Sequence, residues 1–218
     1  MNIYSKNECI RSMKETDITF ISNIHRVCFP LSRSTKLGNP FLLKMYTWYL
    51  QFQPKLSFVA IIDDKVVGFV TGTLGWGGAR RRFKFTFWQI ILGLLHHPSL
   101  LFTSEIYEAW FNFLRGLVPF QKNLSQTLNP SIIKVTLDSI AVHPDGRGLK
   151  LGEKLIQVFE QAAEVQGAAY VALGVEKNNY SARHLYEKCG WELIFEDTIH
   201  NSANYKKDVI GTSNVKYI

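Results

Sequence analysis

Apolar positions along the chain switch between a period of two and a period near 3.6, and the switches lay out the elements. Residues 9–13 read as a short first strand. Thr16-Asp17 then caps a helix that carries Ile18, Ile21, Ile24 and Val27 at helical spacing. Residues 57–62 form an apolar strand, Asp63-Asp64-Lys65 a tight turn, and residues 66–73 the returning strand of a hairpin. Gly72, Gly75, Gly77 and Gly78 end that hairpin. A strand at 132–142 runs through the turn His143-Pro144-Asp145-Gly146 into a helix from about Gly148 to Val165. Its buried side carries Leu151, Leu155, Ile156, Phe159, Ala162 and Ala163, and Gly167 stops it. Residues 169–175 are apolar enough throughout to predict a strand buried on both faces. A short helix over 181–188 closes at Cys189-Gly190, and residues 191–195 and 204–209 read as two final strands.

Residues 79–130 break this rhythm. The segment opens with Arg80-Arg81-Arg82, is rich in Phe, Trp and Leu, and predicts two or three helices broken near Pro98 and Pro119. Its greasiest run, 83–95, contains Lys84, Thr86, Gln89 and Gly93 and is shorter than the roughly 20 residues a spanning helix needs. The expectation is one domain over residues 1–218 with an aromatic-rich helical insertion.

The segment Asp138-Ser139-Ile140-Ala141-Val142-His143-Pro144-Asp145-Gly146-Arg147-Gly148-Leu149-Lys150-Leu151-Gly152 joins a buried strand to a helix through a turn of Arg and Gly. The first turn of a helix carries unpaired N–H groups and a partial positive charge, and accepts a pyrophosphate. Glycines there remove side chains that would hold a phosphate off. A plain strand-to-helix connection has the same look, so this segment alone leaves both readings open. A second segment adds Asn179-Tyr180-Ser181-Ala182-Arg183-His184-Leu185-Tyr186-Glu187-Lys188-Cys189-Gly190-Trp191.

Together the two segments resemble the GCN5-related N-acetyltransferase (GNAT) superfamily. The first is similar to its R-x-x-G-x-G/A pyrophosphate motif behind a strand ending A-V-x-P, the second to its N-x-x-A-x-x-L-Y-x-x-x-G-[FW] motif. The resemblance covers roughly residues 132–196, is weaker over the hairpin and the Asp17 helix, and does not extend to 79–130. It implies an α/β fold: a GNAT-type mixed, mostly antiparallel twisted sheet flanked by helices, with a helical insertion between the third and fourth strands.

The resemblance also implies an enzyme, an acyl-CoA-dependent N-acyltransferase that passes an acyl group, acetyl or longer, directly to a primary amine in a ternary complex. Acetyl-CoA or a longer acyl-CoA is then the co-substrate, and no metal is expected. Arg147, Gly148, Leu149, Lys150, Leu151 and Gly152 are expected to hold the diphosphate. The backbone of Ile140, Ala141 and Val142 is expected to hold the pantetheine arm, with the Val142 N–H or a neighbour as an oxyanion donor. Lys150 replaces the motif's middle glycine, and the intact Arg147, Gly148 and Gly152 predict a helical φ there. Tyr186 stands where the family places its general acid; packing inside the helix is the alternative. Asn179 either bonds the donor or caps the helix after it. The family often places a Glu where this chain has Thr136. Asp138, two residues on and on the same face by alternation, is the candidate base; bonding to nearby backbone is its other reading. Glu176 and His143 are weaker candidates.

Charge and cysteine content then narrow the setting. The chain has 218 residues, 46% hydrophobic and 20% charged, as a globular core requires, and a formal net charge of +7. An excess of positive charge suits an anionic partner: CoA phosphates, an acidic carrier protein, a membrane surface or nucleic acid. No nucleic-acid-binding motif is present, so nucleic acid is not expected. An acidic partner or a peripheral membrane contact through 80–95 stays open, as does a homodimer. Cys9, Cys28 and Cys189 form no CxxC pair and are odd in number, which argues against a disulfide framework or a zinc site. With no apolar run in residues 1–10, a cytoplasmic location is expected. His96-His97 without further ligands reads as a helix end before Pro98.

The acceptor stays open among an amino sugar, a polyamine, a free amino acid, a peptide lysine and a protein N-terminus. Other readings are an acyl-CoA-binding sensor or scaffold without turnover, a GNAT-like maturase attaching a fatty acyl chain to a peptide amine, and a membrane-associated adaptor. The aromatics Trp76, Phe83, Phe85, Phe87, Trp88, Trp110, Phe111 and Phe113 either bury one another, line a pocket for a longer acyl chain or clasp a peptide acceptor.

Overall fold

The computed structural model describes residues 8–75, 78–96, 133–198 and 201–209. Seven strands form one sheet in the order β1-β2-β3-β4-β5-β7-β6. They are β1 (Glu8–Ser12), β2 (Ser57–Ile62), β3 (Lys65–Leu74), β4 (Lys134–Val142), β5 (Tyr170–Glu176), β6 (Glu192–Asp197) and β7 (Ser202–Asp208). Neighbours are antiparallel except β4 and β5. Among the described residues the α-helices are α1 (Ile18–Cys28), α2 (Arg33–Lys36), α3 (Asn39–Phe52), α4 (Gly78–His96), α5 (Leu151–Val165) and α6 (Tyr180–Lys188). The mixed sheet flanked by helices follows the expected architecture, and α4 enters between the third and fourth strands as expected. The remainder of the insertion expected over 79–130 lies outside the described residues.

The β2–β3 hairpin turns on Asp63 (φ 46°) and Asp64 (φ 62°). A two-residue hairpin loop needs positive φ at both central residues, and Asp is among the few side chains that tolerate it. Two cores lie on opposite faces of the sheet. Leu155, Ile156 and Phe159 of α5 pack with Val135, Leu137 and Val171 on one face. Ile21 and Ile24 of α1 pack with Tyr46, Trp48 and Tyr49 of α3 and Phe69 on the other.

Several local expectations are corrected. Asp17 does not cap α1. Its carboxylate takes a two-pronged contact from Arg11, at 2.6 and 2.8 Å, and a backbone bond from Lys14 N–H at 2.7 Å. Val27 is 51% exposed, and the buried face of α1 carries Ser22 and His25 beside the isoleucines. Along β5, Val171 and Leu173 are buried while Tyr170 and Ala172 are half-buried, so burial alternates.

β4 contains the bend that matters for the site. Thr71 pairs with Ser139 and Gly72 with Leu137, which leaves Asp138 as an extra residue. Such a bulge turns the following side chains over. Before it Val135 and Leu137 face the α5 core; after it Ile140 and Val142 do, while Ala141 faces the α1 and α3 side. Gly72 lies opposite this bulge. A Cβ there would fall 2.4 Å from two ring carbons of Phe159 and 2.5 Å from the Thr136 carbonyl oxygen. Gly72→Ala is expected to cost about 2–3 kcal/mol by overpacking, roughly 5–10 °C in melting temperature. Differential scanning calorimetry checks this; an unchanged Tm would show that the contact relaxes freely.

Candidate active site

β4 and β5 pair through Lys134–Tyr170, Val135–Val171 and Thr136–Ala172, and no further. Beyond that point each strand keeps its outer partner, β4 with β3 as far as Val142 and β5 with β7 as far as Glu176. The two strands are thus held rigid while parted. His143 N–H donates to the Val67 carbonyl of β3 at 2.7 Å. Amides two residues apart on a strand point the same way, so Ala141 also faces β3, and the amides of Ile140 and Val142 face the gap. Unpaired strand edges accept an extended ligand. The gap opens into a cleft of about 900 Å³. Leu137 to Val142, the Gly146–Lys150 loop, the start of α5, the end of β5, α6 and the α1–α2 connection form its walls.

The loop at the mouth is a helix N-terminus with an unusual backbone. Gly148 has φ +84° with open space around its missing Cβ, so conformation rather than crowding demands glycine. The first bond of α5 runs from Lys154 N–H to the Lys150 carbonyl at 3.1 Å. The amides of Leu151, Gly152 and Glu153 therefore have no carbonyl within the helix. Gly152 lets Leu185 of α6 approach; a Cβ would meet its Cδ2 at 3.0 Å. Arg147 and Lys150 are exposed and line the cleft, and Leu149 packs against the α5 core. Donor amides, a helix dipole and two cations at one mouth fit a diphosphate.

The helical φ expected for Lys150 is corrected. Its φ is 56° and ψ 22°, the left-handed region. A lysine held there costs about 1–2 kcal/mol, which glycine avoids, less about 0.5–1 kcal/mol for glycine's greater freedom when unfolded. Lys150→Gly is expected to raise Tm by a few degrees. A fall in Tm in the same scan would mean that the lysine side chain stabilises the loop.

Tyr186 lies within α6, 5% exposed, beside the rings of Trp191 and Tyr205, and lines the cleft. Burial raises its phenol pKa further, so the hydroxyl keeps its proton. Asn179 combines both of its expected readings. Its Oδ1 accepts the Ala182 N–H at 3.2 Å as the cap of α6, and the residue lines the cleft. Asp138 lines the cleft at the bulge. Thr73 donates to its Oδ2, and Arg82 Nη1 lies 3.3 Å from the same oxygen. Glu176 lines the cleft and is exposed. His143 is not among the lining residues; its Nδ1 accepts Asp145 N–H at 3.4 Å in the turn.

The cleft also holds residues the sequence did not reveal. Phe29, Pro30, Leu31 and Ser32 form the wall opposite α5, and Cys28 Sγ donates to the Val142 carbonyl at 3.4 Å. A buried chain of polar groups pins this wall. Tyr46 OH lies 2.6 Å from His25 Nδ1, and His25 Nε2 3.2 Å from Ser32 Oγ. The Tyr46 hydroxyl also bonds the Ser139 side chain at the bulge. Burial lowers the His25 pKa to about 4. The neutral ring accepts from Tyr46 and donates to Ser32. An unfolded histidine titrates near 6.5, so this contribution to stability is complete above that pH and is lost as pH falls toward 4, on the order of 3 kcal/mol. His25→Gln is expected to flatten the urea stability profile between those values; an equally steep profile would assign it to other groups.

Among the described residues no helix is long and apolar enough to cross a membrane, and no metal-binding cluster occurs. Phe85, Phe87 and Trp88 of α4 are not among the residues lining the cleft. Phe85 instead meets the Phe52 ring edge to face and lies under the Lys44 ammonium. Trp76, Trp110, Phe111, Phe113 and the side chain of Phe83 fall outside the described residues, as do the breaks near Pro98 and Pro119.

Parted parallel strands, a donor-rich helix start and a buried tyrosine across the gap are joined by a direct sequence match: residues 125–191 fit the Acetyltransferase (GNAT) family profile. The match to the GNAT family takes in β4, the glycine loop, α5, β5 and α6. No curated protein sequence matches it. Ard1 from Thermoplasma volcanium is similar in structure at 14% identity and TM-score 0.56, covering 94% of this chain and 99% of that one. So is YncA from Salmonella typhimurium with its cofactor acetyl-CoA, at 13% identity and TM-score 0.58, covering 95% and 96%. Arabidopsis thaliana Naa50 in complex with the bisubstrate analogue CoA-Ac-MVNAL follows at 14% and 0.54, covering 92% and 98%. At these identities the likeness shows that the GNAT fold spans nearly the whole chain.

Proposed function

We propose that this protein is a GNAT enzyme that transfers an acyl group from acyl-CoA to a primary amine by direct attack. The observation that carries the reading is the continuity of one cleft, from the helix N-terminus at Leu151 through the β4–β5 gap to Tyr186 and Asp138. The diphosphate rests on the amides of Leu151, Gly152 and Glu153 with Arg147 and Lys150 beside it. The thioester arm lies along Ile140 and Val142, whose amides supply oxyanion donors. Asp138 takes one proton from the acceptor ammonium. The freed nitrogen attacks the thioester carbon, the C–S bond breaks, and Tyr186 protonates the departing thiolate. The second proton, leaving the new amide nitrogen, restores Tyr186, so each turnover releases one proton net.

The test is thiol release from acetyl- to dodecanoyl-CoA against an amino sugar, spermidine, lysine, a lysine peptide and a peptide N-terminus. Amine-dependent release with acetyl-CoA is expected. CoA-induced thermal stabilisation without release on any amine would replace the enzyme with a sensor.

A further inference from the structure

Asp138 is held from behind by a residue of the inserted helix. Arg82 of α4 reaches back over the sheet, its Nη1 at 3.3 Å from Asp138 Oδ2. The same nitrogen donates to the Tyr49 hydroxyl. The guanidinium stands over the rings of Trp48, at 5.8 Å, and Tyr49, at 5.2 Å. Tyr49, Trp48 and Thr73 are each at most 3% exposed. The ion pair therefore has a dry back made of aromatic rings, and its side chains keep 22% and 18% exposure. Thr73 donates to the same carboxylate oxygen as Arg82. A carboxylate has about four lone-pair sites, so donors gathered at Oδ2 leave capacity for a further donor on the cleft side.

This arrangement constrains a residue that the backbone leaves loose. Asp138 is the unpaired residue of the bulge, so ladder pairing across to β3 does not fix it. A base must meet the proton it abstracts within hydrogen-bond reach. The side-chain clamp supplies the fixation, and one jaw comes from outside the sheet.

We infer that Arg82 is a positioning residue of the acyl-transfer site, clamping the Asp138 carboxylate at the bulge and making α4 part of the active site. The inference rests on the reading of Asp138 as the proton acceptor. Arg82 touches neither substrate and acts through Asp138.

The assay is acetyl-CoA with the best amine of the panel above. Arg82→Met is expected to lower kcat about 10- to 100-fold, with the Kd for CoA within threefold of wild type. Arg82→Lys should recover part of the rate. Millimolar ethylguanidine should raise kcat of Arg82→Ala at least severalfold while leaving wild type unchanged, which a purely structural role would not allow. Wild-type kcat in Arg82→Met, or a loss that neither lysine nor ethylguanidine restores, overturns the inference. Should Arg82→Met fail to fold, Arg82→Lys and Thr73→Val carry the test: severalfold losses of kcat at unchanged CoA affinity support the clamp, and wild-type kcat in both removes it. Asp138→Asn separates the two levels. Wild-type turnover there sinks the reading of Asp138 itself, whereas a dead Asp138→Asn beside a fully active Arg82→Met sinks the clamp alone.

Discussion

Tyr186→Phe is expected to lower kcat by about 100-fold and to leave the affinity for CoA nearly unchanged. General acids contribute about 10²- to 10⁴-fold, and the lower end is expected because a thiolate is a tolerable leaving group without help. The substitution removes one oxygen and keeps the ring, so the contacts with Trp191 and Tyr205 persist and the fold should hold. Burial raises the phenol pKa, which keeps the hydroxyl protonated before the thiolate departs. Steady-state thiol release with a parallel CoA titration separates the two effects. An unchanged kcat would reduce Tyr186 to a packing residue between α6 and β7.

Arg147→Ala is expected to weaken CoA binding by about 10- to 100-fold, since a hydrogen bond to a charged group is worth about 1.5–3 kcal/mol. Arg147 is exposed at the mouth of the cleft and lies close enough to Cys28 to act on its thiol, which places the guanidinium beside the gap. The loss should appear in the donor's KM, with kcat at saturating donor within a few fold of wild type. Because the contact is between exposed charges, the dependence of Kd on salt should also flatten. Calorimetric titration at two salt concentrations checks both. Wild-type affinity in the variant would take the diphosphate away from this loop.

The strand, loop and helix around Gly148 were legible because each residue type answers a local demand. Positive φ selects Gly148, helix amphipathicity spaces Leu151, Leu155, Ile156 and Phe159, and hairpin geometry selects the Asp63-Asp64 pair. Lys150 was misread because a residue's φ follows from the path of the whole loop, and here lysine accepts a conformation better suited to glycine. The burial of β5 was misjudged because an apolar run does not say which neighbour covers each face. The helix α3 went unread. Its sequence, NPFLLKMYTWYLQF, is apolar nearly all round, so no single stripe stands out.

The Asp138 end of the cleft was the least legible part. The bulge at Asp138 exists because β3 skips a residue against β4, and a pairing register is a property of two strands at once. Arg82 in a run of three arginines gave no sign that it reaches a carboxylate 56 positions away. His25 carries no sequence motif, yet it links Ser32 on the cleft wall to Tyr46 in the core. Contacts of this kind are set by packing, and the sequence records the side chains without recording which ones meet.

The most direct measurement is a crystal structure of this chain grown with CoA at millimolar concentration. It should show diphosphate oxygens about 3 Å from the amide nitrogens of Leu151, Gly152 and Glu153, with the thiol arm running between β4 and β5 toward Tyr186. Bound CoA lying anywhere else, or an empty cleft at that concentration, would contradict the account.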